Sequence, residues 1–99
     1  KSSTAEVLVT MLDAGTEQFV LSVSRQIREA GIKVELFPEI GKLGNQLKYA
    51  DRKGIELVVI AGSREAESGS VSLKNMKSGE QKNGLSIVQL IEALKANVP

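Results

Sequence analysis

The sequence predicts a single α/β domain of three layers, in which a mixed five-stranded sheet packs against three helices. Two observations lead to this fold class. Through residues 6 to 61, apolar runs rich in β-branched residues alternate with amphipathic helical patterns, which is typical of parallel strands joined by helices. Only residues 62 to 70 separate the third predicted strand from the fourth. This is too short for another helical crossover, so we expect the fourth strand to run antiparallel to its neighbour.

The first half of the chain contains two strand–helix units followed by a third strand. Thr16 is a suitable N-cap for the first helix, and Gly31 is placed to end it in the left-handed conformation. The second helix is predicted from about Lys42 to Lys53, with Gly54 as its stop. Right-handed crossovers then give three parallel strands in the spatial order 2-1-3. The predicted strands span residues 6–12, 33–37 and 57–61.

The second half of the chain predicts an antiparallel hairpin and a last helix. Strand four, residues 71–74, has apolar residues only at alternate positions, which indicates one buried and one outward face. A short fifth strand is expected over residues 81–85. Ser86 and Gln89 have the spacing of a capping box, so the last helix begins there. The outward face of strand four is expected to carry Ser72, Lys74 and Met76.

Length and composition limit what this chain can do. Its 99 residues, with 41% hydrophobic and 25% charged residues, are enough for one globular domain. The absence of Cys and His removes thiolate chemistry, the commonest metal ligand and the most frequent general base. A net charge of +1 is unlike that of a protein that coats a nucleic-acid duplex. We therefore expect neither catalysis nor a bound cofactor in this chain, and nucleic-acid binding only through a few placed groups.

The ends of the chain and its apolar runs bear on domain boundaries and location. Residues 1–5 resemble the end of a linker, which leaves residues 6–99 as the domain. The first residue is Lys rather than Met, so we expect a piece of a longer protein. No apolar run approaches the roughly 20 residues that cross a bilayer, and no signal-peptide pattern is present. We expect a cytoplasmic protein that does not contact a membrane.

Three features are candidates for a site, and each also has an ordinary structural interpretation. The turn Asp13–Thr16 stands where a doubly wound fold can bind phosphate, but it lacks the glycine spacing of nucleotide-binding loops, so a helix cap is favoured. Lys and Arg residues give the second helix a basic side, which is typical of a solvated surface. Glu65 and Glu67 form a carboxylate pair, for which acid–base catalysis has little support without His or Cys.

Four segments together resemble a known family. They are AGIKVEL (30–36), KLGNQLKYADRKGI (42–55), LVVIAG (57–62) and SGEQ (78–81), joined by the spacing of Glu65, Gly69 and Lys74. This pattern is similar to the C-terminal anticodon-binding domain of class II aminoacyl-tRNA synthetases, and most similar to that of histidyl-tRNA synthetase. Threonyl-, prolyl- and glycyl-tRNA synthetases share the domain. The resemblance covers nearly the whole chain and implies a five-stranded mixed sheet.

The resemblance implies where the anticodon of a tRNA would bind. Splayed anticodon bases are read at the exposed side of the sheet, and unpaired bases need specific donors and acceptors rather than a broad positive field. Glu65 matches the family's base-reading carboxylate, and Lys74 matches its basic position on strand four. The loop Glu39–Asn45 matches the segment that flanks the anticodon. The implied tRNA-binding residues are Glu65, Lys74, Glu39, Lys42, Asn45, Arg64, Asn75 and Gln81.

The resemblance also implies a parent enzyme and its partners. Such a parent joins histidine to tRNA(His) with ATP and Mg²⁺, and it is expected to be a homodimer whose catalytic domain lies outside these 99 residues. The partner of this domain would be the anticodon loop of tRNA(His). Three alternatives remain: a synthetase-like regulatory or accessory module that no longer reads tRNA, the same domain from a threonyl-, prolyl- or glycyl-tRNA synthetase, and a small-ligand-binding α/β domain.

Overall fold

A computed structural model describes residues 5 to 98. The predicted linker end therefore lies outside the described residues except for Ala5, which packs against the smaller of two core clusters. The helices are α1 (Glu17–Glu29), α2 (Leu43–Lys53), α3 (Ser63–Ser68) and α4 (Ile87–Asn97). The strands are β1 (Val7–Val9), β2 (Val34–Leu36), β3 (Leu57–Ile60), β4 (Val71–Asn75) and β5 (Gln81–Leu85). None of these helices has the length and apolar composition that crossing a membrane requires.

The five strands form one mixed sheet in the order β2-β1-β3-β4-β5. β1 pairs in parallel with both β2 and β3, whereas β4 pairs antiparallel with β3 and β5. The predicted order 2-1-3 and the predicted reversal of strand four are therefore confirmed. Connection length explains the outcome, because α1 and α2 are long enough to carry the chain back along the sheet and the β3–β4 connection is not.

Successive side chains of β1 point to opposite faces of the sheet, so this strand contributes to two core clusters. Val7 and Val9 belong to the larger cluster, which contains buried residues of α1 and α4. Leu8 belongs to the smaller cluster, which contains Ala50 of α2. The sheet is thus the middle layer of three, with α1 and α4 on one face and α2 on the other.

The helix ends agree with the sequence in most places. Gly31 and Gly54 follow α1 and α2 with φ of 86° and 74°, a conformation that glycine adopts without a Cβ penalty. At α4 the Ser86 hydroxyl accepts from the Gln89 N–H at 3.1 Å, and the Ser86 N–H donates to Gln89 Oε1 at 2.9 Å. The predicted capping box is confirmed.

Two details of local structure differ from the simple expectation. Thr16 is the N-cap residue of α1, as predicted, but its side chain makes no capping bond; the hydroxyl instead donates to the Asp13 carbonyl at 2.7 Å and is buried. The β3–β4 connection contains the short helix α3, so the domain has a helix beyond the predicted three. The segment SREAES has no apolar stripe and no buried residue, which is why periodicity did not reveal it.

Candidate nucleic-acid interface

β4 has one buried face and one partly open face. Val71 and Leu73 are buried in the α1/α4 core, whereas Ser72 and Lys74 are half-buried and point to the α2 side. Ser72 pairs with Ile60, and residues paired across a sheet share a face. The alternation predicted for strand four is confirmed, and its polar residues lie on the same face as α2.

A single row of residues shows how far α2 covers this face. Register places Leu8, Val58, Lys74 and Gln81 side by side across β1, β3, β4 and β5. Leu8 and Val58 are completely buried beneath α2, Lys74 is half-buried and Gln81 is exposed. The helix therefore covers two strands and leaves the next two open. We call the residues Ser72, Lys74, Met76 and Gln81 the open half-face.

The open half-face meets α2 along a shallow groove. Met76 packs against the smaller core cluster beside Leu47, so apolar surface continues to the groove floor. An open volume of ≈ 410 Å³ lies here, bordered by Leu47, Lys48, Asp51, Arg52 and Met76. Among the residues that the structure describes, the Lys74 ammonium has no hydrogen-bond or ion-pair partner. Cations beside an apolar surface are suited to bind phosphates and the faces of bases.

The covered half of the same face is held by aromatic and polar contacts. Tyr49 of α2 stacks edge-on against Phe37, with ring centroids 5.3 Å apart, and its hydroxyl donates to the Glu35 carboxylate. This hydrogen bond raises the pKa of Tyr49 above its ordinary value. The Lys53 ammonium lies 5.7 Å from the Tyr49 ring centroid. Tyr49 thus fixes α2 against the β2 edge, on the side away from the open half-face.

Glu65 lies in the first turn of α3, directly after β3. Its Oε1 accepts from the Gly62 N–H at 2.6 Å, which gives the carboxylate a capping role. An ionised carboxylate offers about four lone-pair positions, so this bond leaves acceptor capacity for a ligand. Arg64, its neighbour, is exposed.

The turn after β1 is hydrogen-bonded to the first residue of α3. Asp13 Oδ2 accepts from the Ser63 N–H at 2.9 Å and from the Ser63 hydroxyl at 3.1 Å. A Cβ on Gly62 would stand 2.9 Å from the same Asp13 oxygen and 3.3 Å from Glu65 Oε1. A side chain at position 62 would therefore displace the Asp13 carboxylate that bonds Ser63 and would crowd the Glu65 carboxylate.

The loop between β2 and α2 lies at the same edge of the sheet as α3. β1, β2 and β3 are parallel, so the segments that follow them all leave from their carboxyl ends. Glu39, Lys42 and Asn45 are exposed in this loop and the first turn of α2, and Ile40 is 48% exposed. The exposed Ile40 was not singled out from the sequence, because a lone apolar residue beside Pro38 carries no periodic signal.

The structure does not bring all the implied residues together. Lys74 and Gln81 share the open half-face, Arg64 and Glu65 lie on α3, and the Glu39–Asn45 segment lies at the same sheet edge as α3. Asn75 pairs with Leu57 and points to the opposite face. Its Oδ1 accepts from the N–H groups of Lys77 and Ser78 at 2.9 and 3.0 Å, so it shapes the β4–β5 turn.

Comparison with known proteins places this geometry in a family. A family model described as "Anticodon binding domain" matches residues 6–97. The histidine–tRNA ligase of Rhodopirellula baltica is 40% identical over 96% of the chain, and that of Helicobacter acinonychis is 35% identical over 98%. The chain spans 22% of the length of each of these relatives.

Solved structures agree with the sequence comparison. The crystal structure of histidyl-tRNA synthetase from Nostoc sp. PCC 7120 superposes with a TM-score of 0.92 at 35% identity, covering 98% of this chain and 23% of that one. The RNA binding domain of threonyl-tRNA synthetase from Cryptosporidium parvum superposes with a TM-score of 0.85 at 19% identity, over 95% of this chain and 24% of that one, and shares the fold. The chain belongs to the anticodon binding domain family, and the two histidine–tRNA ligases named above match it over nearly its whole length.

Proposed function

We propose that this chain recognises the anticodon loop of tRNA(His) as part of a histidine–tRNA ligase. The observation that carries the proposal is the open half-face, where β4 and β5 present Lys74 and Gln81 without a covering helix. A sheet face of this kind accepts splayed, single-stranded bases on polar side chains. The family membership and the histidine–tRNA ligase relatives support the same assignment.

Each placed group has a chemical task in this proposal. Glu65 accepts hydrogen bonds from the N–H groups of an anticodon base, since a carboxylate close to phosphates is otherwise unfavourable. Lys74 holds a base carbonyl or a phosphate. Lys42, with Glu39 and Asn45, flanks the loop from the β2–α2 side, and Arg64 and Gln81 extend the contact on either side of Glu65 and Lys74.

The proposal also assigns the chain a place in a larger enzyme. The parent would ligate histidine to tRNA(His) in the cytoplasm with ATP and Mg²⁺, as a homodimer, with this domain positioning the tRNA for a catalytic domain elsewhere in the chain. Purified alone, the 99 residues should show no histidine-dependent pyrophosphate exchange. Exchange by the isolated chain would contradict this division of labour.

Binding to anticodon stem-loops tests the proposal directly. The histidine anticodon is GUG, and we expect tighter binding of this stem-loop than of one with an altered anticodon. Few cations are placed at the site, so the salt dependence should correspond to about two to four phosphates, with a slope of roughly −0.7 per phosphate on single strands. Equal affinity for both stem-loops would favour a regulatory or accessory module that no longer reads tRNA.

Glu65→Gln separates base reading from helix capping. A glutamine still accepts from the Gly62 N–H through its amide oxygen, so α3 should persist and the melting temperature should change little. Losing a charge-assisted bond costs about 1.5–3 kcal/mol, so cognate binding should weaken roughly ten- to a hundredfold. Glu67→Gln is the matched control, because Glu67 is exposed on the same helix and the charge change is identical.

Two outcomes of this comparison count against the role of Glu65. If Glu65→Gln lowers the melting temperature and leaves anticodon discrimination unchanged, the carboxylate only caps α3. If Glu67→Gln changes binding as much as Glu65→Gln does, the effect is one of general electrostatics.

Lys74→Ala should weaken binding of the cognate and the altered stem-loop by the same factor if its ammonium contacts phosphate.

A further inference from the structure

Gln46 is completely buried in α2, and its side-chain amide bonds main-chain atoms of two other segments. Its Oε1 accepts from the Met11 N–H at 2.9 Å. Its Nε2 donates to the Met11 carbonyl at 2.8 Å and to the Gly41 carbonyl at 3.0 Å. Both N–H groups and the oxygen of the amide are therefore used.

This arrangement requires an amide. Met11 offers one donor and one acceptor, and Gly41 offers an acceptor, so the side chain must accept once and donate twice. Among the standard side chains, only a carboxamide of suitable length does this without a charge, since a carboxylate has no donor and an ammonium has no acceptor. Burial of such a group is favourable only when every bond is made.

The bonds of Gln46 fix the loop that flanks the proposed anticodon site. Gly41 is held from both sides, because its N–H also donates to the Met11 carbonyl at 3.1 Å. Gly41 lies between Glu39 and Lys42, two residues of the proposed tRNA contact, and directly after the exposed Ile40. The end of β1, the loop and α2 are joined at this one point.

We propose that Gln46 is a positioning residue for anticodon recognition: it holds the segment Glu39–Lys42 in the geometry that discriminates the cognate anticodon, without itself contacting tRNA. The inference rests on the proposed function. Recognition groups must be held closely by their supporting residues, because a small misplacement weakens each directional contact. Loosening Gly41 should therefore reduce discrimination more than the accompanying loss of stability would.

The test compares Gln46→Met with a core variant on the other face of the sheet. Methionine has a similar length but forms none of the three bonds. Leu94→Ala is the control, because Leu94 is buried in the α1/α4 core and lies on the opposite face from α2. Three quantities are measured on the 99-residue chain: melting temperature, amide hydrogen exchange at Gly41, and the affinity ratio between GUG and altered anticodon stem-loops.

We expect Gln46→Met to lower the affinity ratio by roughly tenfold, which corresponds to the loss of one hydrogen bond between the Glu39–Lys42 segment and the cognate anticodon. The same variant should speed hydrogen exchange at the Gly41 amide. Leu94→Ala should lower the melting temperature while keeping the affinity ratio, and exchange at Gly41 should speed up no more than the loss of global stability explains. If Gln46→Met does not fold, Gln46→Asn serves, since its amide is one methylene too short to span Met11 and Gly41.

Two results would overturn the inference. One is an unchanged affinity ratio in a folded Gln46 variant whose Gly41 amide exchanges faster. The other is an equal fall of the ratio in Leu94→Ala at a matched loss of melting temperature, which would make the effect one of general stability. Failure of the wild-type chain to discriminate the two stem-loops overturns the proposed function itself, and that result is read before any variant is compared.

Discussion

The two faces of the sheet differ in how completely helices cover them. On one face, α1 and α4 bury β1, β3 and β4 in a continuous apolar cluster. On the other face, α2 buries Leu8 and Val58 but leaves Lys74 and Gln81 uncovered. β4 contributes to both faces, with Leu73 buried on one and Lys74 half-exposed on the other. One strand therefore contributes apolar residues to the core on one face and partly exposed polar residues to the other.

The faces also differ in their buried polar groups. The α2 side contains Gln46 and the Tyr49–Glu35 hydrogen bond, which position a loop and a helix beside the open half-face. The α1/α4 side contains Ser24, whose Oγ is buried and, among the described residues, has no hydrogen-bond partner. The polar groups named on the α2 side are thus hydrogen-bonded, whereas the Ser24 hydroxyl contributes no bond to the opposite side. This difference can be tested by substitution on each side.

The largest effect is expected from Leu94→Ala on the closed face. Leu94 is completely buried, and truncating a buried leucine to alanine costs about 2–5 kcal/mol of unfolding free energy. Chemical denaturation measures the loss, and stem-loop binding under native conditions should keep its anticodon preference. A variant that remains folded but loses that preference would contradict the division between the two faces.

A smaller effect is expected from Gly62→Ala at the edge of the open side. The φ of Gly62, −108°, is accessible to alanine, so the cost is steric: the new methyl group would lie 2.9 Å from Asp13 Oδ2. Because Asp13 is exposed and its carboxylate can move away, the expected cost is that of losing its hydrogen bonds to Ser63, about 1 kcal/mol. The new methyl group should also displace Glu65 from its capping position.

Gly62→Ala should therefore lower both the melting temperature and cognate stem-loop affinity, which distinguishes it from Leu94→Ala. Ser70→Ala, after α3 and outside the proposed contact, provides a control for a small change in the same connection. Loss of stability in Gly62→Ala with wild-type anticodon discrimination would mean that the position of α3 does not matter for recognition.

The smallest effect, and one of opposite sign, is expected from Ser24→Ala on the closed face. Removing a buried hydroxyl that has no partner should raise the free energy of unfolding by about 1 kcal/mol, helped by the higher helix propensity of alanine. Thermal denaturation checks the sign. The gain should exceed that of Ser22→Ala on the same helix, which makes the same propensity change but removes a hydroxyl that accepts from Gln26 Nε2 at 3.2 Å. A destabilised Ser24→Ala would indicate that the hydroxyl is bonded in solution, for example to a main-chain carbonyl of α1.

Several features of the fold could be predicted from local sequence. The order of strands and helices follows from the change between apolar runs and helical periodicity, and the reversal at β4 follows from the length of the connection before it. Gly31, Gly54 and the Ser86–Gln89 pair marked helix ends because their roles depend on backbone conformation within one or two turns. Lys74 was placed on the outward face by simple alternation.

Other features depended on contacts between distant segments. Gln46 lies on the inward stripe of α2, three residues after Leu43 and four before Ala50, so its burial was readable from spacing; its partners Met11 and Gly41 were not. The first residue of α3, Ser63, is hydrogen-bonded to Asp13, fifty residues earlier. Asn75 was grouped with Lys74 by proximity in sequence, although adjacent strand residues point to opposite faces.

The order and type of the elements, the parallel or antiparallel direction of the strands, and the family could all be inferred from the amino-acid sequence. These features depend on periodicity, connection length and short motifs. The folded structure was needed to show that α2 covers β1 and β3 but not β4 and β5, that Asp13 bonds Ser63 at the start of α3, and that Gln46 bonds Met11. These outcomes depend on which segments meet across the sheet, and local preferences carry no information about partners thirty to fifty residues away.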